Sequence, residues 1–230
     1  MAIEYRITLD DEHEFNYRIV LDRVHDPESA ARAPAWTRLG HHQCSNCPLS
    51  RERFAHCPAA VDLHRVIEDF QGLPAIQKAH VRVRTPDREY AKLVGLEEGL
   101  RALLGVIMAT SACPVLSRLR PMAQQHLPFA SNQEFVLRAV SLYLTRQYFN
   151  LREGRQPDWE LRGLVEAFQA LQLVNQAFWQ RIHDTCKGDS NLKAFLTFFS
   201  MASSLTYSLE AQLRKIRPLV MTTDDDIETA

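Results

Sequence analysis

Ile3-Glu4-Tyr5-Arg6-Ile7-Thr8-Leu9 alternates apolar and polar residues, and Phe15-Asn16-Tyr17-Arg18-Ile19-Val20-Leu21 repeats the pattern after a polar turn over residues 10–14. Successive side chains of a strand point to opposite faces, so a period of two predicts an antiparallel hairpin with one apolar face. Residues 80–85 and 88–94 read as a second strand pair about Pro86-Asp87. Between the pairs, Pro58 opens a helix expected to run to Phe70, with Leu63, Val66, Ile67 and Phe70 on its apolar side. The order ββαββ followed by helices predicts an α+β fold. A small antiparallel layer packs against a predominantly helical, bundle-like region.

Working outward, Gly95 closes the sheet-rich region, and Leu96 to Met108 carries Leu100, Leu103, Leu104, Ile107 and Met108 at helical spacing. A short helix is expected after Cys113-Pro114, running to Gln125. Ser131 with Glu134 three residues later has the form of a capping box. The helix behind it places Val136, Ala139, Val140, Tyr143, Leu144 and Tyr148 on one face and ends at Gly154 and Pro157. Two long helices follow, one with the stripe Leu161, Leu164, Phe168, Leu171, Asn175, Phe178 and Ile182. The other carries Phe195, Phe199, Ala202, Leu205, Leu209, Leu213 and Ile216. The short Lys187-Gly188-Asp189-Ser190 break between them implies antiparallel packing. The reading is one integrated domain over residues 1–221, sheet-rich over residues 1–95 and helical over residues 96–221. The acidic segment Thr222 to Ala230 is expected to be a frayed tail.

The 230 residues are 46% hydrophobic, which suits a soluble core, and 27 basic against 28 acidic residues leave a formal charge of -1. That balance gives no global argument for nucleic acid or an anionic membrane as partner. No uncharged apolar run reaches about 18 residues, so no membrane span is expected. Met1-Ala2-Ile3-Glu4-Tyr5 lacks the pattern of a signal peptide, and a cytoplasmic location is expected. Reducing surroundings disfavour a disulfide framework, which leaves metal as the usual reason for clustered cysteines.

Cys44 and Cys47 form a Cys-x2-Cys step, Cys57 follows closely, and Cys113 is remote in sequence but similar in setting. Both Cys57 and Cys113 precede a proline at an expected helix start. A thiolate there faces unpaired backbone N–H groups, which favours ionisation and coordination. Cys44, Cys47, Cys57 and Cys113 are therefore expected to form a tetra-thiolate metal centre. Structural zinc is the favoured occupant and a [4Fe–4S] cluster the alternative. His42, His56 or His126 could replace one thiolate, while Cys186 reads as core. Arg51, Arg53, Arg118 and Arg120 flank the ligands in sequence. They could offset the negative centre if they fold inward.

No catalytic signature stands out. Arg82 and Arg84 on one strand with Arg88 and Lys92 on its partner could make a basic strip, more simply a solvated sheet face. Asn175 on an apolar stripe is expected to form a buried hydrogen bond. The segments His42-Gln43-Cys44-Ser45-Asn46-Cys47-Pro48-Leu49, His56-Cys57-Pro58 and Met108-Ala109-Thr110-Ser111-Ala112-Cys113-Pro114-Val115 resemble an uncharacterised bacterial protein family of unknown function. So do Leu119-Arg120-Pro121-Met122, His126-Leu127-Pro128-Phe129-Ala130-Ser131 and Pro157-Asp158-Trp159-Glu160-Leu161. The resemblance covers nearly the whole chain, implies a bacterial source and carries no activity with it. The leading functional expectation is a non-enzymatic metal-binding protein with a binding or regulatory role toward an unknown protein or small-molecule partner. The alternatives are an iron–sulfur redox or sensory protein and an enzyme with a pocket near His126 and Asn175.

Overall fold

The computed structural model describes residues 1–9, 13–24, 26–185, 193 and 208–221. Cys186, the expected long helix from Phe195 to Leu205, its antiparallel packing and the 222–230 tail lie outside the described residues. So does most of the first hairpin turn. The chain forms two compact units, Met1–Phe129 with Ala170–Ser200 and Ala130–Gln169 with Met201–Ala230.

The first unit is built on a four-stranded antiparallel sheet of β1 (Ala2–Leu9), β2 (Glu14–Val20), β3 (Lys78–Arg84) and β4 (Glu89–Gly95), in the order β2-β1-β3-β4. Each hairpin pairs as the alternation requires, with Ile3 opposite Ile19 and Tyr5 opposite Tyr17. The two hairpins join through β1 and β3, where Tyr5 faces Val83 and Ile7 faces Val81. Ile3, Tyr5, Ile7, Leu9, Ala79, Val81 and Val83 are all buried, so one face of the sheet is core.

Helices cover that face, giving the α+β architecture expected. Helix α1 (Pro27–Ala31) is a short turn in the connector, and α2 (Pro58–Phe70) has the bounds read from its sequence. Phe70 meets Phe15 with ring centroids 4.4 Å apart, which pins the end of α2 to β2. Helix α3 (Leu96–Thr110) lies on the sheet so closely that a Cβ on Gly99 would stand 2.8 Å from Val81 Cγ2. After it come a 3-10 turn at Leu116–Leu119 and the short α4 (Arg120–Gln124). The expected single helix is therefore split at Arg120, beside Pro121.

Two cations of the basic strip are answered by acids on the same unit. Arg82 pairs with Glu89 at 3.4 Å and Lys92 with Glu98 at 2.8 Å, while Arg88 sits in the turn before β4 rather than on the strand.

The second unit contains α5 (Asn132–Arg152), the first turns of α6 (Arg162–Thr185) and α7 (Leu209–Ile216). Ser131 and Glu134 close the capping box in both directions. Val136, Ala139 and Val140 are buried as expected, but Gln147 takes the buried place foreseen for Tyr148, which is exposed. The reason is polar: Gln147 Oε1 accepts from the Asp158 amide at 3.1 Å and from Asn150 Nδ2 at 2.9 Å. Asp158 in turn accepts from Tyr143 Oη and from the Gly163 amide, each at 2.8 Å, and so caps the start of α6.

Candidate metal centre

The cysteine loop hangs from a two-rung ladder. The Leu39 amide donates to the Ala55 carbonyl at 2.9 Å and the Cys57 amide to the Thr37 carbonyl at 2.8 Å. Thr37 is fully buried; its hydroxyl donates to the Pro34 carbonyl and accepts from His56 Nδ1 at 2.7 Å. Within the loop, Arg51 Nε donates to Gln43 Oε1 at 2.9 Å, and Gln43 Nε2 donates to the Leu49 carbonyl at 3.0 Å. The Cys47 amide donates to the Cys44 carbonyl at 3.0 Å, the tight turn a Cys-x2-Cys step requires.

Cys57 stands at the N-cap of α2, and the Ala59 and Ala60 amides pull its thiol toward ionisation without closing a full capping hydrogen bond. The Val115 and Leu116 amides act on Cys113 in the same way, at the helical turn that Cys113-Pro114 opens. The two Cys-Pro sites are thus local copies of one arrangement, as their sequences suggested. Burial outweighs the amides at both. It pushes Cys57 up to about 11 and raises Cys113, while burial and the neighbouring Cys57, Cys113 and Cys47 thiols push Cys44 up to about 12. Cys57 and Cys113 are buried, and Cys44 and Cys47 half-buried. All four lie within electrostatic reach of their neighbours, although they come from three separate stretches of chain.

The cation that acts on Cys44 and Cys57 is Arg181 rather than a flanking arginine, although Arg120 is half-buried and its Nε is buried without a hydrogen-bond partner. Arg51 and Arg53 are exposed, as is Arg118. Arg181, near the end of α6, is only 1% exposed. Its guanidinium donates to the carbonyls of Trp36 at 2.8 Å, Arg38 at 2.9 Å and Leu39 at 3.1 Å. Burial lowers its pKa, and Cys57, Cys44 and Cys47 act to raise it. Among the described residues no carboxylate pairs with it, and Nε is buried without a hydrogen-bond partner. Sequence reasoning missed it because it lies far downstream. Its one signal is a charged residue wedged between the buried Phe178 and Ile182.

The sulfurs do not collapse onto one point. Among the described residues, the ligand atoms gathered within 4.8 Å of one another are those of His41, His42 and Asp184; no three of the cysteine sulfurs form such a set. The candidate substitute histidines are held elsewhere. His56 bonds Thr37, His42 contacts Asp184 at 2.5 Å, and His126 is bonded to Tyr5 Oη on β1. Asn175 is 2% exposed, but neither amide atom has the partner expected of it.

No helix among the described residues is long and apolar enough to cross a membrane. No curated protein and no solved structure matches the chain. A family model described as a domain of unknown function, DUF6901, matches residues 3–220, and the chain belongs to that family.

Proposed function

We propose that Cys44, Cys47, Cys57 and Cys113 hold a four-thiolate metal centre, a structural zinc site in a protein with a binding or regulatory role. The observation that carries the centre is Arg181. A cation taken out of water with no counter-charge is costly, and buried charges are normally paired or placed beside metal sites. Neutral thiols do not compensate it, whereas metal-bound thiolates do. A tetra-thiolate site around a divalent ion, or around a cubane in its usual oxidised state, carries a net negative charge of about two. Arg181 Nε–H is a free donor that a thiolate sulfur can accept.

Zinc is the first reading, because the Cys44–Cys47 turn and a saturated four-thiolate set suit a structural zinc site. A cubane iron–sulfur core, which carries its own irons and sulfides between the thiolates, is the alternative occupant of the same four cysteines. In either case the metal fastens the 36–57 loop to Cys113 and α6.

Anaerobically purified protein should be assayed for iron, acid-labile sulfide and zinc, with a visible spectrum of the same sample. One zinc without iron supports the structural site. Iron and sulfide in equal amounts with broad charge-transfer absorbance support the cluster, and with it electron transfer or sensing, instead. Folded protein with neither metal, and with four thiols free to react, removes the centre altogether.

A further inference from the structure

Adjacent side chains normally diverge, yet the imidazoles of His41 and His42 meet edge to face with centroids 4.7 Å apart. The cause is backbone: His42 has φ of 44°, a left-handed conformation uncommon for a residue with a Cβ, and the His41 amide is fixed to the Arg38 carbonyl at 3.1 Å. Asp184, in the last turn of α6, completes the group, with Oδ2 2.5 Å from His42 Nε2. His41 Nε2 is buried and has no hydrogen-bond partner. Hydrogen bonding accounts for His42 and for Asp184, whose Oδ1 also lies 3.4 Å from His183 Nδ1, but it does not account for the buried His41 Nε2 or for the left-handed backbone that brings the two imidazoles together.

We propose that His41, His42 and Asp184 bind a divalent late transition-metal ion, separately from the cysteines and with coordination positions left open to solvent. Two imidazoles and one carboxylate suit zinc, cobalt, nickel or ferrous iron; magnesium and calcium require more oxygen ligands than the group supplies. Metal–nitrogen bonds of about 2.0–2.1 Å place such ligand atoms roughly 3 Å apart. Here the three ligand atoms all lie within 4.8 Å of one another, with His42 Nε2 and Asp184 Oδ2 already at 2.5 Å. The side chains of His42 and Asp184 are 32% and 47% exposed, so an ion can enter and keep bound water. Three protein ligands with open positions make a site that can bind a small anion or polarise a bound water, unlike a saturated thiolate centre.

The test is titration of the full-length protein, as isolated, with cobalt(II) alone, followed by absorbance and calorimetry. The expected result is one cobalt per chain with weak visible bands and no thiolate charge-transfer band. Loss of a mere outer partner of a metal site costs about tenfold in affinity. Asp184→Asn and His42→Asn should therefore each weaken cobalt binding at least about tenfold, while leaving the protein folded and the metal content of the cysteine centre unchanged. Asparagine is chosen at position 42 because it tolerates the left-handed backbone. The proposal is overturned if cobalt does not bind, if it binds with thiolate charge transfer, or if both variants bind it as the wild type does. Because the charge-transfer band reports the cysteines alone, failure here is distinguishable from failure of the four-thiolate reading.

Discussion

The guanidinium of Arg181 and the carbonyl of Trp36 meet at 2.8 Å in the protein interior, joining the end of α6 to the loop that carries three of the four cysteines. The same guanidinium spans Arg38 and Leu39, so one side chain fixes the start of that loop. Arg181→Met keeps much of the bulk but removes the charge and every donor. Hydrogen bonds to charged groups contribute about 1.5–3 kcal/mol each, so the metal-loaded protein should lose at least about 2 kcal/mol in urea unfolding. The metal-free protein should lose less, because there the cation has no thiolates to face. Equal losses in the two forms would show that Arg181 is a brace only, with no electrostatic relation to the centre.

The thiols make a pH prediction whose sign is fixed by burial. Cys44 is pushed up to about 12 and Cys57 to about 11 in the folded chain, above the ordinary thiol value. A folded pKa raised above the unfolded one means that the folded state holds its protons longer. The associated stability is complete below the unfolded pKa of about 8.5 and is lost as pH rises through the folded values. Metal-free protein should therefore lose stability progressively from about pH 8.5 to about 12. Metal-loaded protein, whose thiols are already deprotonated, should not share that slope. Denaturant titrations across this range check it, and a flat profile for the metal-free form would rule out buried neutral thiols.

How far the sequence disclosed this arrangement depends on the range of each interaction. The strands were legible because alternation is a local property, and α2 because Pro58 and Phe70 mark its ends. The matched settings of Cys57 and Cys113 were legible for the same reason: each thiol answers to amides two and three residues ahead. Arg181 and Asp184 were not, since their partners lie more than a hundred positions upstream and no spacing rule connects them. Nor was the meeting of His41 and His42, which depends on a positive φ that histidine does not advertise. Gln147 displaced Tyr148 from the core because Asp158 supplies it with a backbone donor, a relation between two loop-separated segments.

Gly99 offers a test of the packing that places α3 on the sheet. A Cβ at that position would meet Val81 Cγ2 at 2.8 Å, and Val81 is itself buried. Overpacking of this kind costs about 1–3 kcal/mol, more than the fraction of a kcal/mol to about 1 kcal/mol that alanine gains over glycine in a helix. Gly99→Ala should be destabilising, and Val81→Ala in the same chain should recover some of the loss by removing the clashing methyl. Additive effects in the double-mutant cycle would mean that the two sites do not press on each other.

In the second unit, Gly163 sits where a Cβ would collide with Tyr143 Oη, while its amide donates to the carboxylate that accepts from that same hydroxyl. Gly163→Ala must therefore displace the Tyr143 ring and break its bond to Asp158, with an expected loss of about 1–3 kcal/mol from crowding. Tyr143→Phe alone should cost about 1 kcal/mol, because one hydrogen bond is lost from a half-buried site. In the Gly163→Ala background it should cost nothing or restore stability, since the clashing oxygen is gone. Thermal melts of the four chains give the coupling directly. A second substitution that costs as much as it does in the wild type would show that the added methyl leaves the Tyr143–Asp158 bond intact and that the two positions do not press on each other.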